Sequence, residues 1–184
     1  PKVIRAIKDQ CDNYLHVIPY GEFVQEPQVR FAQAITALLP TALDSVYFVN
    51  SGTEAIEAAI KLAKRITGRT GLVACHKSYH GSTHGSLSIT GNEEKRYRNR
   101  PLLPDVKFIR FNSPDDLHLI TEHTAAVVVE TIQGDAGVRV PNGFPTRVNS
   151  TPAPLAELLS DGGANLQQQV ERLAVLLAVE LGRA

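Results

Sequence analysis

Val46-Tyr47-Phe48-Val49-Asn50-Ser51-Gly52-Thr53-Glu54-Ala55 is a β-rich run that enters a polar turn and then a helical pattern. Ala55, Ala59, Ile60, Ala63 and Ile66 recur at helical spacing, which predicts a helix opened by Ser51 and closed by Gly68 as its C′ glycine. Ser51 and Glu54 have capping-box spacing, in which the hydroxyl takes an orphan amide and the carboxylate reaches back. Further strands are expected at residues 72–75, 106–111 and 125–130, alternating with helical or loop segments. Near-continuous apolar strands separated by such segments favour a parallel, buried sheet, with residues 46–49 as a fourth member. The reading is α/β: a mainly parallel sheet flanked by helices, with a C-terminal helical tail.

Toward the N-terminus, Ile4, Ile7, Cys11, Tyr14 and Leu15 fall on one side of a helix over residues 1–16. A loop with Pro19 and Gly21 follows. Pro27 suits the first turn of a second helix bearing Phe31, Ile35, Leu38 and Leu39, which Pro40 stops. The character changes after Pro145. Residues 145–184 hold no Lys, His, Ile or aromatic residue, and Leu166, Val170, Leu173, Leu177 and Leu181 fit an amphipathic helix. That helix docks on the core or serves as a dimerisation arm. The chain is therefore divided into residues 1–144 and a non-matching linker and tail, 145–184.

At 184 residues, 43% hydrophobic and 21% charged, the chain can bury the core of one ordinary globular domain. Nineteen Lys+Arg balance nineteen Asp+Glu, so a general nucleic-acid or anionic-membrane binder, which needs a basic excess, is not expected. No apolar run approaches the roughly 18–20 residues of a membrane span. Cys11 and Cys75 cannot make a disulfide framework, and free thiols fit a reducing, cytoplasmic compartment. Pro1-Lys2-Val3-Ile4 has no signal-peptide profile, and the absence of any Met fits a trimmed chain or fragment.

Four segments are candidates for chemistry. At the start of the Ser51 helix, Gly52 lets another group approach the backbone, and first-turn amides with the helix dipole suit a phosphate. A plain helix cap explains the same residues. The stretch Cys75-His76-Lys77-Ser78-Tyr79-His80-Gly81-Ser82-Thr83-His84-Gly85 follows a strand, and such loops bind ligands in α/β sheets. His76, His80 and His84 recur every four residues, which on a helix would align three imidazoles for a metal. Gly81 and Gly85 argue against a helix here, so ordinary loop histidines are preferred. Tyr79 can present an aromatic face to a flat ring. Glu130-Thr131-Ile132-Gln133-Gly134-Asp135-Ala136-Gly137 places two carboxylates at another strand end, as an acid/base pair or a polar loop. The basic run Lys95-Arg96-Tyr97-Arg98-Asn99-Arg100 reads, in a neutral chain, as a solvated loop rather than an RNA contact.

In this order and spacing the segments resemble the class III (ω-) aminotransferases over residues 1 to about 143. The matching stretches run from Phe48 to Ala55 and from Glu57 to Ala63, then Thr67-Gly68-Arg69, Ser78 to Thr83, Leu87 to Gly91, and Val129 to Val138. The resemblance implies part of the large domain of a fold type I, pyridoxal 5′-phosphate-dependent transferase. It implies amino-group transfer between a small-molecule amino donor, an amino acid or ω-amine, and a 2-oxo acid acceptor. It also implies a homo-oligomer, without nucleic-acid or membrane partners. Gly52 and Thr53 would hold the cofactor phosphate through helix amides, with Ser51 supporting the turn. Tyr79 would stack on the pyridine ring and His80 would pack beside it, while Glu130 and Gln133 would line the site.

Three departures accompany the match. Thr131 stands where the family usually has Pro. Ser82 stands where ornithine-type members carry an Arg for a substrate carboxylate. The family's second half supplies an Asp for the pyridinium nitrogen and the Schiff-base lysine, and neither is found here. The seven lysines, Lys2, Lys8, Lys61, Lys64, Lys77, Lys95 and Lys107, fall at other family positions. Lys77 lies nearest Tyr79 in sequence. The expectation is a truncated or rearranged transaminase, inactive alone and with no catalytic residue of its own. The alternative is a non-catalytic binding or oligomerisation module on the same scaffold.

Overall fold

The computed structural model describes residues 1–18, 21–39 and 43–142. The expected 145–184 tail with its Leu166–Leu181 stripe, and Pro19 and Pro40, lie outside the described residues. Two units are distinguished, Pro1–Val46 and the chain from Tyr47 onward. In the first unit, α1 spans Lys2–Tyr14 and α2 spans Glu26–Thr36, with Pro27 in the first turn as its fixed φ allows. Neither helix buries a residue; Val3, Ile4, Ile7 and Phe31 are all exposed.

The second unit is built on three parallel strands: β1, Gly71–Cys75; β2, Val106–Ile109; and β3, Thr124–Val128, in the order β2-β1-β3. Leu72 pairs with Val106 on one side and Ala126 on the other, and Ala74 with Phe108 and Val128. Alternation along β1 sends Leu72 and Ala74 to one face and Val73 and Cys75 to the other. On the first face, Ile56, Ile60 and Ala63 of α3, Gly52–Thr67, close over Leu72, Ala74 and Ala126 together with Ile89. On the second, Val73, Cys75 and Ile109 pack against Phe111, Leu119, Ile120, Val127 and Val129. A central strand covered on both sides has no polar face, which is why residues 72–75 read as continuous apolar sequence.

Residues 46–49 correct the expectation of a fourth strand. They carry no regular secondary structure and join no strand of this sheet, with Tyr47 79% exposed. β propensity reports side-chain shape, and it does not supply a neighbouring edge to pair with. Among the described residues the unit also has short helices, α4 at His84–Ile89 and α5 at Glu93–Arg96, and 3-10 helices at Tyr97–Asn99 and Pro114–Leu119. α4 corrects the reading of residues 76–85 as wholly non-helical, since Gly85 sits inside it. The strand-following loop stops being loop at Thr83.

Candidate functional site

α3 leads through Gly68, in the left-handed region at φ 67°, directly into β1, so the helix runs back along the sheet. Its N-terminus therefore lies at the sheet edge where β1 and β3 end. Ser51 caps it, its hydroxyl accepting from the Glu54 amide at 3.3 Å. The carboxylate of Glu54 does reach back, but to the Asn50 amide at 2.6 Å, one residue further than a capping box requires. Among the described residues, no hydrogen bond engages the Gly52 and Thr53 amides. A Cβ placed on Gly52 would meet nothing within 4 Å. Open space beside Gly52 and two amides without partners at a helix start suit an anion.

The loop after β1 is buttoned to the chain beyond α4. Ser78, fully buried, donates to the Cys75 carbonyl at 2.7 Å, and the Lys77 and Gly91 amides bond to Gly91 and Ser78 carbonyls at 3.0 and 2.9 Å. These bonds turn residues 79–83 toward the start of α3. Thr53 and Thr83 hydroxyls meet at 2.8 Å, and Thr53 also reaches Ser86 at 2.6 Å. Gly81 lies at φ 132°, and a Cβ there would run into Thr53 and Ser86, so both conformation and space demand glycine.

Tyr79 stands at the rim, 36% exposed, and its amide donates to the Glu130 carboxylate beyond β3 at 3.2 Å. The Lys95 ammonium lies 4.3 Å from the Tyr79 ring centroid and is held by Asp135 at 2.8 Å. Glu130 and Asp135 thus serve different partners. His80 is 1% exposed, with its amide donating to Thr90 at 3.0 Å, and burial pushes its imidazole down to about 4. It is neutral near pH 7. Gln133, fully buried, spans two segments: its amide nitrogen donates to the His76 carbonyl at 3.0 Å and its oxygen accepts from Arg139 at 2.9 Å.

Ser51, Gly52, Thr53, Tyr79 and Glu130 are therefore drawn to one edge of the sheet through the Thr53–Thr83 and Tyr79–Glu130 bonds. His80 and Gln133 lie behind that edge, where their side chains are buried. His84 turns aside to the Pro101 carbonyl at 2.7 Å. The basic run is exposed apart from half-buried Arg96, but it is helical rather than loop: it takes in the end of α5 and a 3-10 turn, with Lys95 on Asp135 and both Arg96 and Arg100 on Glu93.

Glu57 escaped the sequence reading. Its carboxylate accepts from the Thr83 hydroxyl and the Gly85 and Ser86 amides. The available signal was its position four residues after Thr53, which puts both on one helix face. Lys95 escaped as well; adjacency in sequence pointed to Lys77, but Lys95 meets the Tyr79 ring.

The sequence profile of the family described as aminotransferase class-III matches residues 1–150. A [LysW]-aminoadipate semialdehyde/glutamate semialdehyde transaminase from Sulfurisphaera tokodaii is 50% identical over 137 residues, covering 74% of this chain and 35% of the relative. An acetylornithine aminotransferase from Methanopyrus kandleri is 39% identical over 146 residues, covering 78% of this chain and 37% of the relative. The crystal structure of an adenosylmethionine-8-amino-7-oxononanoate aminotransferase from Methanocaldococcus jannaschii superposes with a TM-score of 0.70 at 27% identity, over 87% of this chain and 38% of that one. The chain thus spans little more than a third of the length of the relatives it matches. Matched across most of its residues in sequence, and in fold to a solved aminotransferase, the chain belongs to the class III aminotransferases.

Proposed function

We propose that these residues form the phosphate- and ring-facing part of a pyridoxal 5′-phosphate site in a transaminase, which moves an amino group from an amino donor to a 2-oxo acid. The observation that carries this reading is the meeting of the α3 start with the Tyr79 loop at the edge where β1 and β3 end. Gly52 and Thr53 amides are suited to bind a phosphate, and Ser51 holds the turn that aims them. Tyr79 offers a ring face to a flat heterocycle while Lys95 occupies its other approach. Glu130 fixes the Tyr79 backbone, His80 fills the space behind as a neutral ring, and Gln133 ties the loop to the following hairpin. When bound, pyridoxal phosphate supplies an electron sink for the carbon that carries the amino group.

The donor and acceptor are proposed only by class. Ser82 is exposed and neutral, which disfavours a donor whose carboxylate is clamped at that position. The 184 residues alone are proposed not to turn over: no lysine follows Lys107, and Lys95, the lysine at the Tyr79 ring, is engaged by Asp135. Self-association belongs to the same reading, since an exposed apolar patch such as Val3, Ile4 and Ile7 commonly marks an interface. Absorbance titration with pyridoxal phosphate, followed by borohydride reduction and peptide mass mapping, tests the proposal. Binding nearer millimolar than micromolar is expected, weakened by Tyr79→Ala, with no stoichiometric lysine adduct. Wild-type chain that binds no cofactor, or that transaminates unaided, would refute it.

A further inference from the structure

Glu57 gathers donors from a segment 26 to 29 residues away onto one oxygen: the Thr83 hydroxyl at 2.5 Å, the Gly85 amide at 2.8 Å and the Ser86 amide at 2.9 Å. A carboxylate only accepts, so Thr83 donates to Glu57, and its oxygen in turn accepts from Thr53 or Ser86, at 2.8 and 3.0 Å. Glu57 and Thr53 share one face of α3, so two points on a rigid helix hold the segment from Gly81 to Ser86, which runs from the loop into α4. The approach is close on both points: a Cβ on Gly85 would run into the Glu57 carboxylate, and one on Gly81 into Thr53.

We infer that Glu57 is a positioning residue, which sets the separation between the Gly52 and Thr53 amides and the ring face of Tyr79. This rests on the cofactor reading above. A two-ended ligand gains from both ends only while their subsites keep a matching distance, because the second contact is then intramolecular. Loosening the link leaves each subsite intact and removes the gain from joining them. A carboxylate that merely caps α4 would act otherwise, through stability alone.

The test uses pyridoxine 5′-phosphate, pyridoxine and inorganic phosphate, which carry no aldehyde and cannot react with lysines. Each is titrated by amide NMR shifts into wild-type chain, Glu57→Ala, Glu57→Gln and Thr83→Val. For Glu57→Ala the joined ligand is expected to lose about tenfold in affinity, while pyridoxine and phosphate each change by less than about twofold. Glu57→Gln, which keeps an acceptor oxygen, should recover most of the loss, and Thr83→Val should fall between. Equal losses for all three probes, or undiminished binding of pyridoxine 5′-phosphate in the variants, would overturn the positioning role. Should Glu57→Ala fail to fold, Thr83→Val carries the same comparison. Wild-type chain that binds neither phosphate nor pyridoxine 5′-phosphate would instead sink the cofactor reading, and the inference with it.

Discussion

α1 and α3 read alike in sequence and end differently in the structure. Each shows apolar residues at helical spacing, yet α3 buries Ala55, Ile56, Ala59, Ile60 and Ala63, and α1 buries none. The contrast separates two properties that periodicity merges: which side of a helix is apolar, and whether anything covers it. α3 is joined by Gly68 to a strand whose face it covers at once. Among the described residues of its own unit, α1 has no neighbour that buries it.

The two cysteines give the largest expected difference between these regions. Cys11 on α1 is exposed, whereas Cys75 on β1 is buried, and burial with the nearby Glu130 carboxylate pushes its thiol up to about 11. Near pH 8, iodoacetamide should label Cys11 far faster than Cys75, because Cys75 is buried and its thiolate supply falls about tenfold for each unit its pKa is raised. Comparable labelling rates in intact protein would mean that β1 is not the covered centre of the sheet.

Core truncation sharpens the same contrast. Ile60→Ala, on the buried face of α3, should cost about 2–5 kcal/mol in urea denaturation, and Ile7→Ala on α1 less than about 0.5 kcal/mol at protein concentrations low enough to keep the chain monomeric. A large effect at Ile7 would show that α1 is covered in solution.

His80 adds a pH dependence that belongs to the second unit alone. Its folded value of about 4 lies below the ordinary 6.5, so the unfolded chain takes up a proton first as the pH falls. Stability is full above 6.5 and is lost between 6.5 and about 4, by about 3 kcal/mol from this group. Denaturation midpoints at several pH values check this against His80→Gln, in which that part of the slope should vanish.

A smaller effect than at Ile60 or His80 is expected at the α3 start. Ser51→Ala removes the acceptor for the Glu54 amide and should cost about 1 kcal/mol, read as a shift in the urea midpoint. A shift near zero would mean that the Glu54 bond to Asn50 suffices to hold the turn.

Much of this unit was legible because local sequence controls local backbone. The Ser51 cap, the Gly68 stop and the three apolar strands follow from side-chain chemistry at short range, and the structure has each of them. Residues 46–49 show the limit, since strand-forming side chains still need an edge to pair with. The motif residues also show it. That Tyr79 would face a strand end was readable, but its tie to Glu130 spans 51 residues.

Family membership and the α/β class were thus determined by the sequence by itself. Tertiary structure alone decided that Lys95, not Lys77, meets the Tyr79 ring, that Gln133 is a buried strut, and that Glu57 holds Thr83. Lys77 is nearer along the chain, but its backbone adopts φ 63° in the turn after β1. Such pairings depend on the sheet register and on where each crossover returns, and neither is encoded in the spacing of residues along one segment.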